Sequence, residues 1–375
     1  MIYLDYSATT PVLKEVLDSY NKVTIDYFGN PNSLHSLGVK SRELLNSATK
    51  QISNIFKIKE EEIIYTSGST EANNLALIGC ALAHGKRGSH IVVSKLEHES
   101  IYGICNYLES IGFYIDYVKN TADGVIDLDD LKGLVNENTI LVSICAVNSE
   151  LGIRQPLKTI KQVINKENPN TIFHSDMTQA VGKIPINLGD VDMASMSGHK
   201  IYGPKGIGML YKKIGINIKP ILYGSNKDIR PGTPALPLIV SFSKALRIAN
   251  SDLDKKENII KKHNDKICEF LSGYPKILIN KTPYSIPNIL NISLMNIKPE
   301  TFIHALEKHD VYVSSNTACS SGKISSAVLG VYGDKKRALT TIRISLSYMT
   351  TNEEINEFIN IFESVYNKLM ELADE

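Results

Sequence analysis

Short, nearly all-apolar runs alternate with stretches of helical spacing across residues 36–211, and no other feature constrains the fold as strongly. A run such as Ile91-Val92-Val93-Ser94 has apolar side chains at successive positions, so both faces of its strand must be covered. Strand candidates lie at 63–66, 91–94, 139–147, 171–173 and 193–197, with helical spacing at 71–83 and 100–108. Strands of that kind alternating with helices predict a mostly parallel α/β sheet flanked by helices. A further strand at 206–211 follows a short connection, and is predicted to run antiparallel. The Pro- and Gly-rich stretch 223–237 breaks this rhythm, and residues 238–271 read as one long, charge-laced helix. The tail holds strands at 289–294, 311–314 and 342–346 and a helix at 300–308. A last helix opens on the capping box Thr351-Asn352-Glu353-Glu354 and runs to about residue 372. That pattern predicts a second, smaller α+β domain, and 375 residues leave room for both.

Composition narrows the classes of function. Lys plus Arg number 41 and Asp plus Glu 40, so a net charge of +1 gives no electrostatic reason to expect nucleic acid or an anionic membrane as partner. The hydrophobic share of 43% and charged share of 22% rule out wholesale disorder. Five scattered cysteines, none in a C-x-x-C pair, argue against a disulfide scaffold or a structural metal site, and their odd number fits a reducing compartment. No apolar run reaches the length of a membrane helix, and Met1-Ile2-Tyr3-Leu4-Asp5 lacks the features of a secretory signal; a cytoplasmic protein is expected.

Several motifs follow strands. Ser197-Gly198-His199-Lys200 places a lysine just past a buried strand, where partial desolvation would make its amine a nucleophile; taken alone, the motif is more often a surface lysine in a glycine turn. Asp176, in His174-Ser175-Asp176-Met177-Thr178-Gln179, could pair with a protonated pyridine nitrogen, as pyridoxal phosphate (PLP) enzymes require, or simply cap a helix. Both fall where open α/β sheets bind ligands, at strand carboxyl ends. Thr66-Ser67-Gly68-Ser69-Thr70-Glu71, between strand and helix, leaves backbone N–H groups free for a phosphate, or is a bare helix cap. It is neither a Walker A loop nor a G-x-G-x-x-G fingerprint. His98 follows another strand and could stack on a cofactor ring, or be an exposed loop histidine. Cys319 sits in the small-residue loop 314–322, a place for reaction rather than packing. Cys80, Cys105, Cys145 and Cys268 read as core fillers. Arg343, a charge inside an apolar strand, needs a carboxylate, either a substrate's or an internal one.

In that order, these residues resemble those of the cysteine desulfurases, PLP enzymes of fold type I in the class-V aminotransferase group. The likeness spans the chain. It begins with Tyr3-Leu4-Asp5-Tyr6-Ser7-Ala8-Thr9-Thr10-Pro11 and Phe28-Gly29-Asn30-Pro31-Asn32-Ser33-Leu34-His35. It continues through 66–74, the pair Glu97-His98, 176–179 and 197–208, and ends with Arg230-Pro231-Gly232-Thr233-Pro234, the Cys319 loop and Arg343. The resemblance implies a seven-stranded, mostly parallel sheet in a PLP-binding domain over residues 12–255. Residues 1–11 and 256–375 would form the small α+β domain carrying the Cys319 loop. By the same likeness Lys200 would hold PLP covalently and later shuttle the Cα proton. Asp176 would pair with the pyridine nitrogen, Gln179 with the ring O3′, and His98 would stack on the ring. Ser69, Thr70, Ser197 and His199 would hold the phosphate, joined by Thr233 from the second subunit of a homodimer. Arg343 would bind the substrate carboxylate. Cys319 would take sulfur from L-cysteine as a persulfide, release alanine, and pass the sulfur to an acceptor protein such as an iron–sulfur scaffold.

Two departures bear on substrate fit. The family's Asn-Asn-Glu-x-Gly run reads Asn148-Ser149-Glu150-Leu151-Gly152 here, so Ser149 replaces the second Asn of a pair expected at the substrate. The stretch between Cys319 and Arg343 is a few residues short. Alternatives are a selenocysteine lyase, another class-V lyase or aminotransferase, or a non-catalytic partner protein of the same fold.

Overall fold

Alternate residues of single strands feed two different cores, and this is what makes the central sheet a buried partition. Val92, Val142, Phe173 and Ala194 join one apolar cluster, while their neighbours Ile91, Leu141, Ile172 and Met193 join another on the opposite face. The computed structural model describes residues 1–224, 228–315 and 324–374.

The chain opens with β1 (Ile2–Tyr3), α1 (Lys14–Asp26) and α2 (Ser36–Phe56). Next come β2 (Ile63–Thr66), α3 (Ser69–His84), β3 (His90–Ser94), α4 (Glu99–Ser110), β4 (Tyr114–Val118) and α5 (Leu128–Leu134). The body is completed by β5 (Thr139–Ser143), α6 (Leu157–Glu167), β6 (Ile172–Asp176), β7 (Met193–Ser197), β8 (Gly208–Lys212) and α7 (Leu236–Asn250). The remainder is α8 (Leu253–Leu271), β9 (Ile277–Asn280), β10 (Ile289–Leu294), α9 (Pro299–Glu307) and β11 (Val311–Tyr312). It ends with α10 (Ser326–Tyr332), α11 (Lys335–Leu339), β12 (Thr341–Ser345) and α12 (Asn352–Asp374).

Seven strands pair in the order β2-β8-β7-β6-β5-β3-β4. The pairings from β7 through β4 are parallel, and β8 is antiparallel to both its neighbours, as expected for the strand after 206. Helices α3 and α4 cover one face through Leu75, Ile101 and Ile104, and α6 and α7 cover the other through Ile160, Ile164, Ile239 and Phe242. A separate core forms around the antiparallel sheet β12-β10-β9, with Phe302, Phe358 and Phe362 at its centre. The two-residue β1 pairs in parallel with β11, Ile2 opposite Val311, and so ties the first residues to this second core.

Three expectations are corrected. The strand expected at 139–147 ends at Ser143: β3 ends at Ser94, and where its ladder would continue the Cys145 N–H is taken instead by the Glu97 carboxylate at 2.6 Å. The single helix expected at 238–271 is two. Asn250 turns its amide back onto the Leu246 carbonyl and Asp252 adopts a left-handed φ of 51°, so the chain leaves α7 on the sheet core and re-enters as α8 on the other. The strand expected at 311–314 is only two residues long; Ser314 instead exchanges backbone hydrogen bonds with Arg343 as an isolated bridge. Strand β4 has no counterpart in the sequence reading, because an edge strand half open to solvent has no continuous apolar run to reveal it. The capping box at 351–354 forms with both reciprocal hydrogen bonds, 2.8 and 3.1 Å. Among the described residues, no helix is long and apolar enough to cross a membrane.

Candidate active site

The carboxyl ends of β2, β3, β6 and β7 lie along one edge of the sheet, because two successive antiparallel pairings return β2 to the direction of β7. Residues at or just past these four strand ends line a single cavity of about 250 Å³. From β2 come Ser69 and Thr70, from β3 His98, from β6 Asp176, Thr178 and Gln179, and from β7 His199 and Lys200. Ser7, Ser149 and Arg343 close it from the second core's side. The Ser67-Gly68 turn runs tightly over β8: a Cβ on Gly208 would fall 2.7 Å from the Gly68 Cα. Ser197 lies beneath, its hydroxyl 3.6 Å from where a Gly68 Cβ would be.

Lys200 is set by the amino-terminal segment. Its Nζ donates to the carbonyls of Ser7 (2.6 Å) and Ala8 (2.8 Å), and the Thr10 N–H donates to the His199 carbonyl at 2.9 Å, stapling the segment to the lysine turn. The buried Asp176 carboxylate accepts from the Thr178 N–H at 2.9 Å and from Asn73 Nδ2 at 2.8 Å. Gln179 donates from Nε2 to the Ser7 carbonyl at 2.9 Å and accepts from Lys183 Nζ on Oε1 at 2.5 Å. Burial, with Lys200 and Arg343 nearby, pulls the Lys183 ammonium down to about 7. Burial and the neighbouring lysines likewise lower His199 to about 4, so it is neutral at physiological pH. His98 caps α4, its Nδ1 accepting from the Ser100 N–H at 3.1 Å, and burial lowers its pKa.

Arg343, 1% exposed, pairs with Asp5 (Nη2 to Oδ1, 3.0 Å) and donates from Nη1 to the Ser149 carbonyl at 3.0 Å. Its carboxylate partner within the protein therefore exists, and its buried Nε has no hydrogen-bond partner among the described residues. Glu97 is buried; one oxygen holds Cys145, the other has no partner among the described residues, and burial pushes its carboxyl up to about 8.

Nine of the expected site residues line the cavity: Ser69, Thr70, His98, Ser149, Asp176, Gln179, His199, Lys200 and Arg343. Asn148 does not. Its amide builds the turn behind the wall, bonding the Leu96 carbonyl and the N–H groups of Glu150 and Leu151. Thr233 is exposed and away from this chain's own cavity. Cys319 lies outside the described residues. Cys80 and Cys105 are core fillers as expected, but Cys145 lines the cavity wall with its thiol on the Leu96 carbonyl, 3.2 Å away. Sequence reasoning missed Asn73, Ser100 and Lys183. Asn73 follows Ser69 by four positions, so it lies on the same helix face, and that spacing was the available signal.

The donor set fits PLP. A carboxylate with acceptor capacity to spare, a lysine amine, a helix amino terminus flanked by two hydroxyl residues, and a buried Thr178 hydroxyl with no partner among the described residues all belong to one cavity. A family model described as "Aminotransferase class-V" matches residues 2–358. A "NifS/IcsS protein homolog" of Lactobacillus delbrueckii subsp. bulgaricus is 38% identical, covering 98% of this chain and 97% of its own. A "Cysteine desulfurase IscS" of Buchnera aphidicola subsp. Schizaphis graminum is 39% identical over 99% and 94%. Among solved structures, a "NIFS-LIKE PROTEIN" superposes with a TM-score of 0.93 at 32% identity over 98% and 99%. "SspA in complex with cysteine" does so with 0.81 at 29% over 94% and 100%.

Proposed function

The chain belongs to the class-V aminotransferase family, and from that premise we propose that its cavity is the active site of a PLP-dependent cysteine desulfurase. The observation that carries this reading is the meeting of Lys200, Asp176 and His98, each from the end of a different strand, in a cavity that also holds the first turn of α3. PLP, when bound, supplies an electron sink for the carbanion left at a deprotonated Cα.

The chain's own groups do the rest. The first turn of α3, with the hydroxyls of Ser69 and Thr70 and with Ser197 and His199 beside it, holds the phosphate. Asp176 would offer its carboxylate to the protonated ring nitrogen, and Gln179 its amide to the ring oxygen. His98 would cover the ring. Lys200, held between the Ser7 and Ala8 carbonyls, is the base that moves the substrate's Cα proton. Arg343 receives the substrate carboxylate beside Ser149. The thiolate of Cys319 attacks the substrate sulfur: the substrate C–S bond breaks, a Cys319 S–S bond forms, and protonation of the remaining carbon skeleton yields alanine.

Finer readings belong to the same proposal. The body spans 12–255, and 1–11 with 256–375 make the small domain, a division supported by the two separate cores. The protein is a cytoplasmic homodimer, with Thr233 serving the partner subunit's phosphate site; its exposure on this chain supports that reading. The sulfur goes on to an acceptor protein such as an iron–sulfur scaffold. The test is alanine and sulfide release from L-cysteine with reductant present. We expect wild type to turn over, Lys200→Ala to lose alanine formation, and Cys319→Ala to lose sulfur transfer. Full activity in Cys319→Ala would remove the persulfide step, and an inactive, PLP-loaded wild type would assign the site to another substrate.

A further inference from the structure

A polar chain runs behind the cavity from His98 to Asp176 through two residues that touch neither end of the reaction. Asn73, wholly buried on α3, donates from Nδ2 to Asp176 Oδ2 at 2.8 Å and to Ser100 Oγ at 3.1 Å. Ser100 in turn meets His98 Nδ1 twice, with its N–H at 3.1 Å and its Oγ at 3.0 Å.

The orientation of each group follows from its neighbours. A carboxylate only accepts, so the Asn73 amide must face Asp176 with its NH2 side; its buried Oδ1 has no partner among the described residues, a cost set against the two bonds its protons make. The second amide proton occupies a lone pair of Ser100 Oγ, which frees that hydroxyl's own proton for His98. His98 Nδ1 therefore faces two donors, one of them a backbone N–H that no rotation can remove. A proton on Nδ1 would be set against that fixed N–H, so the neutral ring carries its proton on Nε2 and the Ser100 hydroxyl donates to Nδ1. We propose that Asn73 is a positioning residue whose two amide protons, one on Asp176 and one relayed through Ser100, lock His98 as the neutral Nε2–H tautomer. Resting on the desulfurase reading, this means that the imidazole offers the reacting groups a hydrogen-bond donor, not a second cation beside Lys200. Burial is the main opposition to a charge on His98; of the charged groups that face it, Asp176 and Glu99 favour protonation, and Lys200 and Arg343 oppose it.

The test reads the tautomer directly by NMR of isotope-labelled histidine in the full chain, with and without PLP. The His98 signal among nine histidines is assigned by its loss in His98→Gln. Wild type should show a bare Nδ1 and a protonated Nε2 at neutral pH. In Asn73→Ala and Ser100→Ala the His98 titration should move to higher pH, and Ser100→Thr should restore it. With PLP loaded, kcat/KM for L-cysteine should fall about 10-fold or more in Asn73→Ala, the size met when an orienting partner is lost. An imidazolium or an Nδ1–H ring in wild type would overturn the proposal, as would a His98 titration unchanged in both alanine variants. If Asn73→Ala does not fold, the Ser100→Ala and Ser100→Thr pair decides it alone. The tautomer is read without turnover, so an inactive wild type with the expected signals would overturn the desulfurase reading and leave the Asn73 assignment standing.

Discussion

A carboxyl such as that of Glu97, sealed in the wall behind the cavity, makes stability depend on pH in a direction opposite to the usual surface acid. Its pKa is raised from 4.5 to about 8, chiefly by burial and also by Asp176. The folded state thus binds more protons than the unfolded state between those values, and stability falls as pH rises through the window. Glu97→Gln, which mimics the protonated acid, should equal wild type below about pH 4.5 and exceed it by a few kcal/mol above about pH 8, measured by urea unfolding across pH. Parallel curves for the two proteins would remove the assignment. At this scale the sequence was legible only in part. Asp176, His98 and Lys200 stood out because each follows a strand whose apolar run is visible. Asn73 did not: its place four residues after Ser69 puts it on the site's face of α3, but its partner Asp176 lies 103 residues further on.

Among elements, the start of α3 depends on Glu71. One carboxylate oxygen accepts from the Ser67 N–H at 2.7 Å and the other from Arg230 Nε at 2.9 Å, so a single side chain fixes the turn before the helix and pins residues 228–234 beside it. Burial works against the charge, but these hydrogen bonds prevail and hold the carboxyl below its usual value. A depressed acid stabilises above its unfolded pKa and loses that contribution as pH falls through the folded one. Glu71→Gln should therefore cost about 1–2 kcal/mol at neutral pH, lose that cost in acid, and weaken PLP retention in dialysis. Unchanged retention would show that the turn is set without it. Elements of this kind were readable where pattern and chemistry agree, as in the 351–354 capping box. They were unreadable where two helical periods abut: nothing in the spacing of 238–271 marks the left-handed Asp252, because α7 and α8 are each regular and differ only in which core they face.

Across the whole molecule, the second core reaches the site through an ion pair between the buried Arg343 and the half-buried Asp5. Arg343 on β12 is held by Asp5 beside β1, and with its Nη1 on Ser149 it joins three distant stretches of chain. Removing one partner of such a pair strands the other. Asp5→Ala should cost about 3 kcal/mol in stability and raise KM for L-cysteine, read by urea unfolding and initial rates. A loss of stability with unchanged KM would separate Arg343 from substrate binding. The architecture itself was largely visible beforehand, since apolar runs dictate covered strands. The closing of the cavity by residues 5–8 was not, because that segment has too few residues to carry a period.

The pairing of Ile2 with Val311 has a consequence during synthesis. The first strand leaves the ribosome with no partner and must wait while three hundred further residues are translated. Arg343, which braces the same segment, emerges later still. A nascent chain can build the sheet, present Lys200 and hold Ser7 and Thr10 against it through Gln179 and His199, yet Asp5 stays without Arg343 until β12 has been made. The Arg343 side of the cavity is thereby completed only after β12 has emerged, although Lys200 is in place long before.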